Sequence, residues 1–596
     1  MRLSLDPHCK CTLELNGQSV ELSVAELSAL RESFADSSKQ LKDALPRELL
    51  GRLFANRMLT PSDLPNALDS TYWKKVLSIG RLSPYLNLRL SFATDNAGMA
   101  GTEPAIAMFL EPAFVEAAGR LSNAISDGLS LMTQASAVRG VQFPRERALK
   151  LVHEIAFNWL RARPELARWI KWSRGLDGFM SLSLSDCSAI TTQVPSYSLA
   201  NITVSIKGSD SHAESRRIVV PVDELSAIAR VLDALRVDSP DNLNAPDLES
   251  VSLRRLLGAI EEVGGFIDRS EVPQVFALNS NEEVTLAVTH MGHASLIVDG
   301  GCRRVLIDPW LFAWNNSFEK QPLVSSQLGR VDAIFFTHHH QDHLNVDSLL
   351  TLPHDVPTFV PCETGSPLEP RTADFLRLIG FQDVRKIAHG ESHVVGEGLT
   401  VEAVPFFGEG QNRLGFGANC YLISRDGQNV LVHADASPDS AGRSLVSTGG
   451  LQELVKRRGK IELIFGTWWQ ERKFVCRLSP LAIFSPVINS LEWLDDTENC
   501  DCPPEFLCDL VRLSGATQML LYAESGSECF LPRSEMSSYV PTISLLWRSL
   551  SEVGPIIQNA TGVPLTEAQP YARILVRKSG GVDVDWTDVA ASRRPI

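Results

Sequence analysis

The run Thr337-His338-His339-His340-Gln341-Asp342-His343 constrains this chain more than any other segment, because four side chains able to bind metal fall within six positions after the apolar run Val331 to Phe336. His338 and His340 lie two apart in chain leaving a strand, so their rings point the same way. Asp342 and His343 instead begin a turn into the helical pattern near Val346 to Leu350. This spacing predicts two pairs of ligands facing two adjacent metals. His339 and Gln341 are spacers that pack or meet solvent.

Around this run, β-rich segments alternate with helical patterns. The strand candidates are Val305 to Ile307, Ala333 to Thr337, Thr358 to Val360, Thr400 to Val404, Cys420 to Ile423 and Asn429 to Val432, which together predict an α/β layer architecture. The flanking residues Leu286-Ala-Val-Thr-His-Met-Gly-His-Ala-Ser-Leu-Ile-Val-Asp299 and Arg304-Val-Leu-Ile-Asp-Pro-Trp310 add a further signal. With them, the stretch from about 283 to 440 resembles the metallo-β-lactamase superfamily. The resemblance implies an αββα sandwich with metals at one edge.

Hydrolytic, zinc-binding members of that superfamily add a third His, a bridging Asp and a final His to the first run. Here the strand Leu399 to Phe406 is followed by Glu409 where the third His belongs, the strand Val430-Leu-Val-His-Ala ends in Asp435 at the bridging position, and no His occurs after Asp435. The expected ligands are therefore His338, His340 and Glu409 around one metal, with Asp342, His343 and Asp435 around or bridging to the other. Three imidazoles and three carboxylates make a harder, more anionic set than a His-dominated zinc site, which favours iron.

In this ligand pattern, and in its long N-terminal region, the chain is similar to the diiron β-hydroxylases of nonribosomal peptide pathways. The resemblance implies a non-haem diiron monooxygenase, with two oxo- or hydroxo-bridged iron ions and O2 as co-substrate. Its substrate would be an aminoacyl thioester on a nonribosomal peptide synthetase carrier domain, hydroxylated at the β-carbon, with leucine and an arylalanine both open. It assigns the iron ligands to His338, His340, Asp342, His343, Glu409 and Asp435, with Glu409 as the catalytic carboxylate. A dinuclear zinc hydrolase of the same fold is the alternative. Gly415-Phe-Gly-Ala-Asn-Cys420 lacks the glycine pattern of a dinucleotide site, so electrons are expected from an external reductase.

Side chains near the motifs carry lesser expectations. His293 and Asp308 border the expected metal edge and are candidates for hydrogen bonds to ligand imidazoles, whereas His290 and His433 lie on apolar strands and read as satisfied core residues. Trp468, Trp469 and Phe474 fit either a substrate channel or core. The stretch from Ser479 to Pro504 is loop-rich and fits either a cover over the site or a surface elaboration.

With 596 residues, 44% of them hydrophobic and 21% charged, the chain has the composition of a globular protein of two or more domains. Its formal charge of −15 argues against a nucleic-acid surface. The first residues lack the apolar core of a secretion signal, and no uncharged apolar run reaches the roughly 18 residues of a membrane span, so a cytoplasmic location is expected. The eleven cysteines include a cluster, Cys500, Cys502 and Cys508, without Cys-x-x-Cys spacing, and are expected to be reduced thiols. Arg216-Arg217 and Lys456-Arg-Arg-Gly-Lys460 are basic candidates for docking a carrier.

Residues 1–245 are expected to form a mixed α+β domain, 246–282 a linker region, and 283–596 the metallo-β-lactamase-like catalytic domain with C-terminal insertions. In the first of these, Pro144 to Arg163 and Asp223 to Arg236 have helical apolar faces, and Ile202 to Lys207 with Arg217 to Val220 resembles a strand pair. The family resemblance gives this region dimerisation, as a homodimer, and carrier recognition.

Overall fold

The computed structural model describes residues 197–206, 215–235, 250–268, 283–311, 328–339, 343–364, 371–408, 417–439, 441–467, 502–522, 550–568 and 572–585, with shorter stretches nearer the N-terminus. Those shorter stretches include the strands β1 (Arg2–Leu5), β2 (Cys11–Leu15), β3 (Gln18–Leu22), β4 (Gly80–Leu82), β5 (Leu86–Ser91), β6 (Ile170–Arg174) and β7 (Met180–Leu184). Most of the expected helix Pro144 to Arg163 lies outside the described residues.

The expected strand pair is present as β8 (Leu199–Ile206) and β9 (Arg216–Pro221), antiparallel, with β5 on the other side of β8. Helix α1 (Leu225–Ala234) buries Leu225, Ile228 and Leu232, with Leu235 just beyond its end, the apolar stripe expected from the sequence, and buries Val231 besides. Helix α2 (Val251–Glu262), capped by the Ser250 hydroxyl accepting from the Leu253 amide, lies inside the stretch read as a linker and buries Leu253, Leu256, Leu257 and Ile260. β10 (Phe266–Asp268) then pairs with β4.

Two large sheets follow. The first has eight strands in the order β16-β15-β14-β13-β12-β11-β24-β25, formed by β11 (Val284–Gly292), β12 (Ser295–Gly300), β13 (Arg303–Ile307), β14 (Ala333–Phe335), β15 (Thr358–Pro361), β16 (Val384–Ile387), β24 (Arg573–Arg577) and β25 (Val582–Asp585). The second has seven, in chain order, from β17 (Ser392–Gly396), β18 (Leu399–Pro405), β19 (Asn419–Arg425), β20 (Gln428–Ala434), β21 (Leu463–Gly466) and β22 (Gln518–Leu521) to β23 (Leu565–Glu567).

Strand alternation builds three apolar layers. Val305, Ile307, Phe335, Val430, Val432 and Phe465 point between the sheets. Leu306, Ile334 and Phe336 point out from the first sheet toward α3 (Val346–Leu349), α4 (Thr372–Leu378) and the N-terminal elements, and share one core with them. Leu431 and Ile464 point out from the second toward α5 (Gly450–Arg458), α6 (Pro504–Ser514) and α7 (Leu550–Thr561). The result is the expected αββα sandwich. Strands covered on both faces are apolar at nearly every position, which explains why they appear in the sequence as continuous runs rather than alternating patterns.

β13 to β16 pair in parallel, as do β20 to β23, so several strands of each sheet end at the same edge. The N-terminal elements pack closely on the first sheet's helical layer. A Cβ at Gly380, whose φ is +114°, would lie 3.0 Å from the Ser226 Cα in α1.

Arg304 ties this layer together from inside. It is fully buried, with Nε 2.6 Å from Asp299 Oδ1, Nη2 2.9 Å from Oδ2, and Nη1 donating to the Leu328 carbonyl. Arg304→Ala leaves Asp299 buried without its partner, a loss of about 3–5 kcal/mol. A marked fall in thermal midpoint is expected, and the double replacement Arg304→Met with Asp299→Leu should recover most of it. Lys456→Ala, at an exposed pair with Glu453, should leave the midpoint nearly unchanged.

Candidate metal centre

Six strand ends or turns converge on one edge of the sandwich. The β11–β12 hairpin turn supplies His293, in the left-handed region at φ +46°. Asp308 follows β13, at φ +43°, and its amide still donates to the Phe335 carbonyl across the ladder. Thr337 and His338 follow β14, and His343 stands just before α3. Phe406 follows β18, Asp435 follows β20 and Thr467 follows β21. Ala434 is also left-handed, at φ +51°, beside an irregularity in the β20–β21 ladder, and this kink turns Asp435 off the strand.

At the centre is the imidazole of His343, buried between carboxylates from the two sheets. Its Nδ1 is 2.8 Å from Asp308 Oδ2 and its Nε2 is 3.0 Å from Asp435 Oδ2. The Thr337 amide donates to Asp308 Oδ1 and its hydroxyl to Oδ2, at 2.7 and 2.6 Å, and the same hydroxyl is 3.0 Å from His338 Nδ1. The Thr467 hydroxyl donates to Asp435 Oδ1 at 2.8 Å, leaving Oδ2 toward His343. The rings of His338 and His343 have centroids 4.1 Å apart, with Phe406 5.5 Å from His338 and His293 5.7 Å from His343.

Burial works against charge on His343, but Asp435 and Asp308 outweigh it and raise its pKa well above the usual value for histidine. Burial likewise pushes the Asp435 carboxyl up, and His343, His293 and Thr467 together hold it well below the usual carboxylate range. Two buried carboxylates that favour positive charge on the imidazole between them would equally favour a metal ion that replaces its proton. His338, His343 and Asp435 each offer one ligand atom, all within 4.8 Å of one another. Their chemistry fits a transition metal with nitrogen and oxygen ligands. Asp308 is placed to fix which His343 nitrogen faces that metal.

The structure thus brings together three of the six expected ligands, His338, His343 and Asp435. His340, Asp342 and Glu409 lie outside the described residues, as do Trp468, Trp469 and Phe474 and nearly all of the loop from Ser479 to Pro504. Of the two bordering residues, Asp308 hydrogen-bonds to a candidate ligand, and His293 stands edge-on beside it. His290 gives its Nε2 to the His293 carbonyl at 2.7 Å and steadies that turn. His433 is buried against Phe506, where burial lowers its pKa to about 4.

Thr337 and Thr467 were missed in the sequence. The available signal is the hydroxyl residue immediately after each apolar strand. Both basic candidates for docking are engaged elsewhere: Arg216 pairs with Glu262, and Arg457 and Arg458 both grip the buried Glu402. Cys502 and Cys508 are buried and form no disulfide.

A model of the β-lactamase superfamily domain matches residues 303–475. Over 172 residues the chain is 30% identical to the 4-amino-L-phenylalanyl-[CmlP-peptidyl-carrier-protein] 3-hydroxylase of Streptomyces venezuelae, covering 28% of this chain and 31% of that protein. The alignment therefore spans about a third of that curated relative's length. A metal-dependent hydrolase of Aeropyrum pernix is 40% identical over 57 residues, 10% of this chain and 22% of that one. Among solved structures, CmlA, a diiron β-hydroxylase from Streptomyces venezuelae, has a TM-score of 0.49 at 15% identity over 84% of this chain and 99% of its own. The isothiocyanate hydrolase from Delia radicum gut bacteria has a TM-score of 0.31 at 15% identity, over 48% and 97%.

Residues 303–475 thus match the β-lactamase superfamily domain, carried on two packed sheets whose edge gathers candidate metal ligands. Over the aligned residues the chain is similar to a hydroxylase whose name gives it a carrier-bound amino acid as substrate.

Asp308→Asn removes an acceptor behind His343 without changing volume. Metal affinity should fall about 10–100-fold, read by titration of the metal-free protein, with the circular dichroism spectrum unchanged.

Proposed function

We propose that the chain is a non-haem diiron monooxygenase that hydroxylates the β-carbon of an amino acid held as a thioester on a nonribosomal peptide synthetase carrier domain. The observation that carries this reading is the donor set. His338, His343 and Asp435 meet at one sheet edge, His340, Asp342 and Glu409 follow from the same strand ends in sequence, and no His comes after Asp435.

The path to Glu409 supports its place in the set. Phe406 lies against the His338 ring, the Phe407 carbonyl accepts the Ser437 amide at 2.9 Å, and Gly408, at φ +85°, is so close to Ser437 that a Cβ would fall 2.2 Å from its hydroxyl. Chain leaving β18 is thereby held beside the loop that carries Asp435, one residue before Glu409.

In this reading His338, His340, Asp342, His343, Glu409 and Asp435 hold two iron ions, with Glu409 as the catalytic carboxylate. When bound, the irons supply the reduction of O2 and the insertion of oxygen into a C–H bond. The chain's own part is to hold the ligands and exclude water. Asp308 and Thr337 orient His343, Thr467 orients Asp435, and the apolar layers on both sides keep the edge dry.

Electrons come from an external reductase. Residues 1–245 serve homodimerisation and carrier recognition, 246–282 connect, and 283–596 carry the chemistry, in the cytoplasm. Among the described residues no helix is long and apolar enough to cross a membrane. A zinc hydrolase is the second reading, favoured by the likeness to the Aeropyrum pernix hydrolase and opposed by the missing final His.

The test is incubation of the iron-loaded, chemically reduced protein with aminoacyl-loaded carriers under isotopically labelled O2. The account expects one labelled oxygen atom in the aminoacyl group, seen by mass spectrometry of the carrier. Release of the free amino acid without any need for O2 would favour the hydrolase.

A further inference from the structure

The chain that delivers His338 is not held by its own sheet. In the parallel ladder of β14 and β15 the Ile334 amide donates to the Pro357 carbonyl and the Phe336 amide to the Phe359 carbonyl. That register assigns the Phe336 carbonyl to the amide of residue 361, which is a proline and has no N–H to give. On the other side β13 ends at Ile307, and Asp308 turns away at φ +43° and takes the Thr337 amide on its side chain. The Trp310 amide, next in that ladder, donates to the Ser295 hydroxyl instead. The carbonyls of Phe336 and Thr337, the two residues before His338, therefore both lose their ladder donors, and a buried carbonyl without a donor is costly.

The second sheet supplies both. The Tyr421 hydroxyl donates to the Phe336 carbonyl and the Asn419 amide to the Thr337 carbonyl, each at 2.8 Å. Both donors belong to β19. The Tyr421 ring is fixed from the side, edge-on to Phe335 at 5.2 Å, with Phe335 stacked on Phe359 at 4.6 Å. Burial pushes the Tyr421 phenol above its ordinary range, so the hydroxyl keeps its proton to donate.

This tie bears on the metal edge because the ligands come from both sheets. His338 follows β14 of the first sheet, whereas Asp435 follows β20 of the second, the neighbour of β19. Their ligand atoms lie within 4.8 Å of each other. A hydrogen bond across the sheets, two residues before His338, limits how far that imidazole can stand from its partner.

We propose that Tyr421 is a positioning residue for the metal, whose hydroxyl holds the segment carrying His338 against the second sheet and thereby sets the spacing between His338 and Asp435. This rests on the reading of His338 as a metal ligand and applies to iron and zinc alike.

The test measures cobalt(II) binding to the metal-free full chain by visible absorption, alongside thermal midpoints. Tyr421→Phe removes the hydroxyl and keeps the ring. Cobalt affinity should fall about fivefold to tenfold, and the midpoint should fall too; a tie that only supports the fold would lower the midpoint alone. The decisive comparison is a double-mutant cycle with His338→Ala. In that background Tyr421→Phe should still lower the midpoint but no longer change cobalt affinity. An equal loss of affinity in both backgrounds, or no loss in either, overturns the proposal. Unchanged cobalt affinity in His338→Ala itself would remove His338 from the metal site and the proposal with it, so the two failures are told apart.

Amide exchange in the unaltered chain covers the case in which Tyr421→Phe misfolds. Saturation with cobalt should slow exchange at Asn419 more than at Ser424, toward the far end of β19, because a tie that favours metal binding is favoured by it. Uniform slowing along β19, or none, overturns the proposal.

Discussion

Everything at the sheet edge depends on the imidazole of His343 lying between Asp308 of the first sheet and Asp435 of the second. Each of these groups is fully or nearly fully buried, and burying three ionisable groups is costly unless they satisfy one another. The two threonines complete that arrangement from behind, one on each sheet. The interaction therefore does two jobs at once. It fixes how the two sheets meet at this edge, and it presents an imidazole and a carboxylate oxygen with few orientations left to lose. A site built on strand ends inherits the rigidity of both sheets.

The rest of the sandwich serves that edge. Apolar side chains between the sheets and beneath both helical layers leave the backbone of each strand little choice of register, because a slip by one residue would turn every inward residue outward. Buried charge elsewhere is closed off in pairs, with Arg304 on Asp299 and Glu402 gripped by Arg457 and Arg458. The basic run in α5 thus has a structural use.

Much of this was legible before the structure. The six β-rich segments all fall on strands, and the stripe in α1 buries as its spacing requires, because patterns of two and 3.6 residues are properties of local backbone. His338, His343 and Asp435 stood out as polar residues following apolar runs, and the structure gathers them. Other features were hidden by the limits of local reading. β14 ends at Phe335 rather than Thr337 because Asp308, 29 residues away, takes the Thr337 amide. The stretch 246–282 has polar and proline-bearing ends that resemble a linker, yet it contains α2, whose apolar face becomes informative only once there is a sheet to cover.

The central claim is that this buried edge holds a pair of iron ions. Metal analysis of the purified protein, with Mössbauer spectroscopy after iron-57 enrichment, tests it most directly. The account predicts about two irons per chain, in accord with the two pairs of first-run ligands, coupled to a diamagnetic diferric state. Stoichiometric zinc that reconstitution with iron cannot replace by an O2-reactive centre would contradict it.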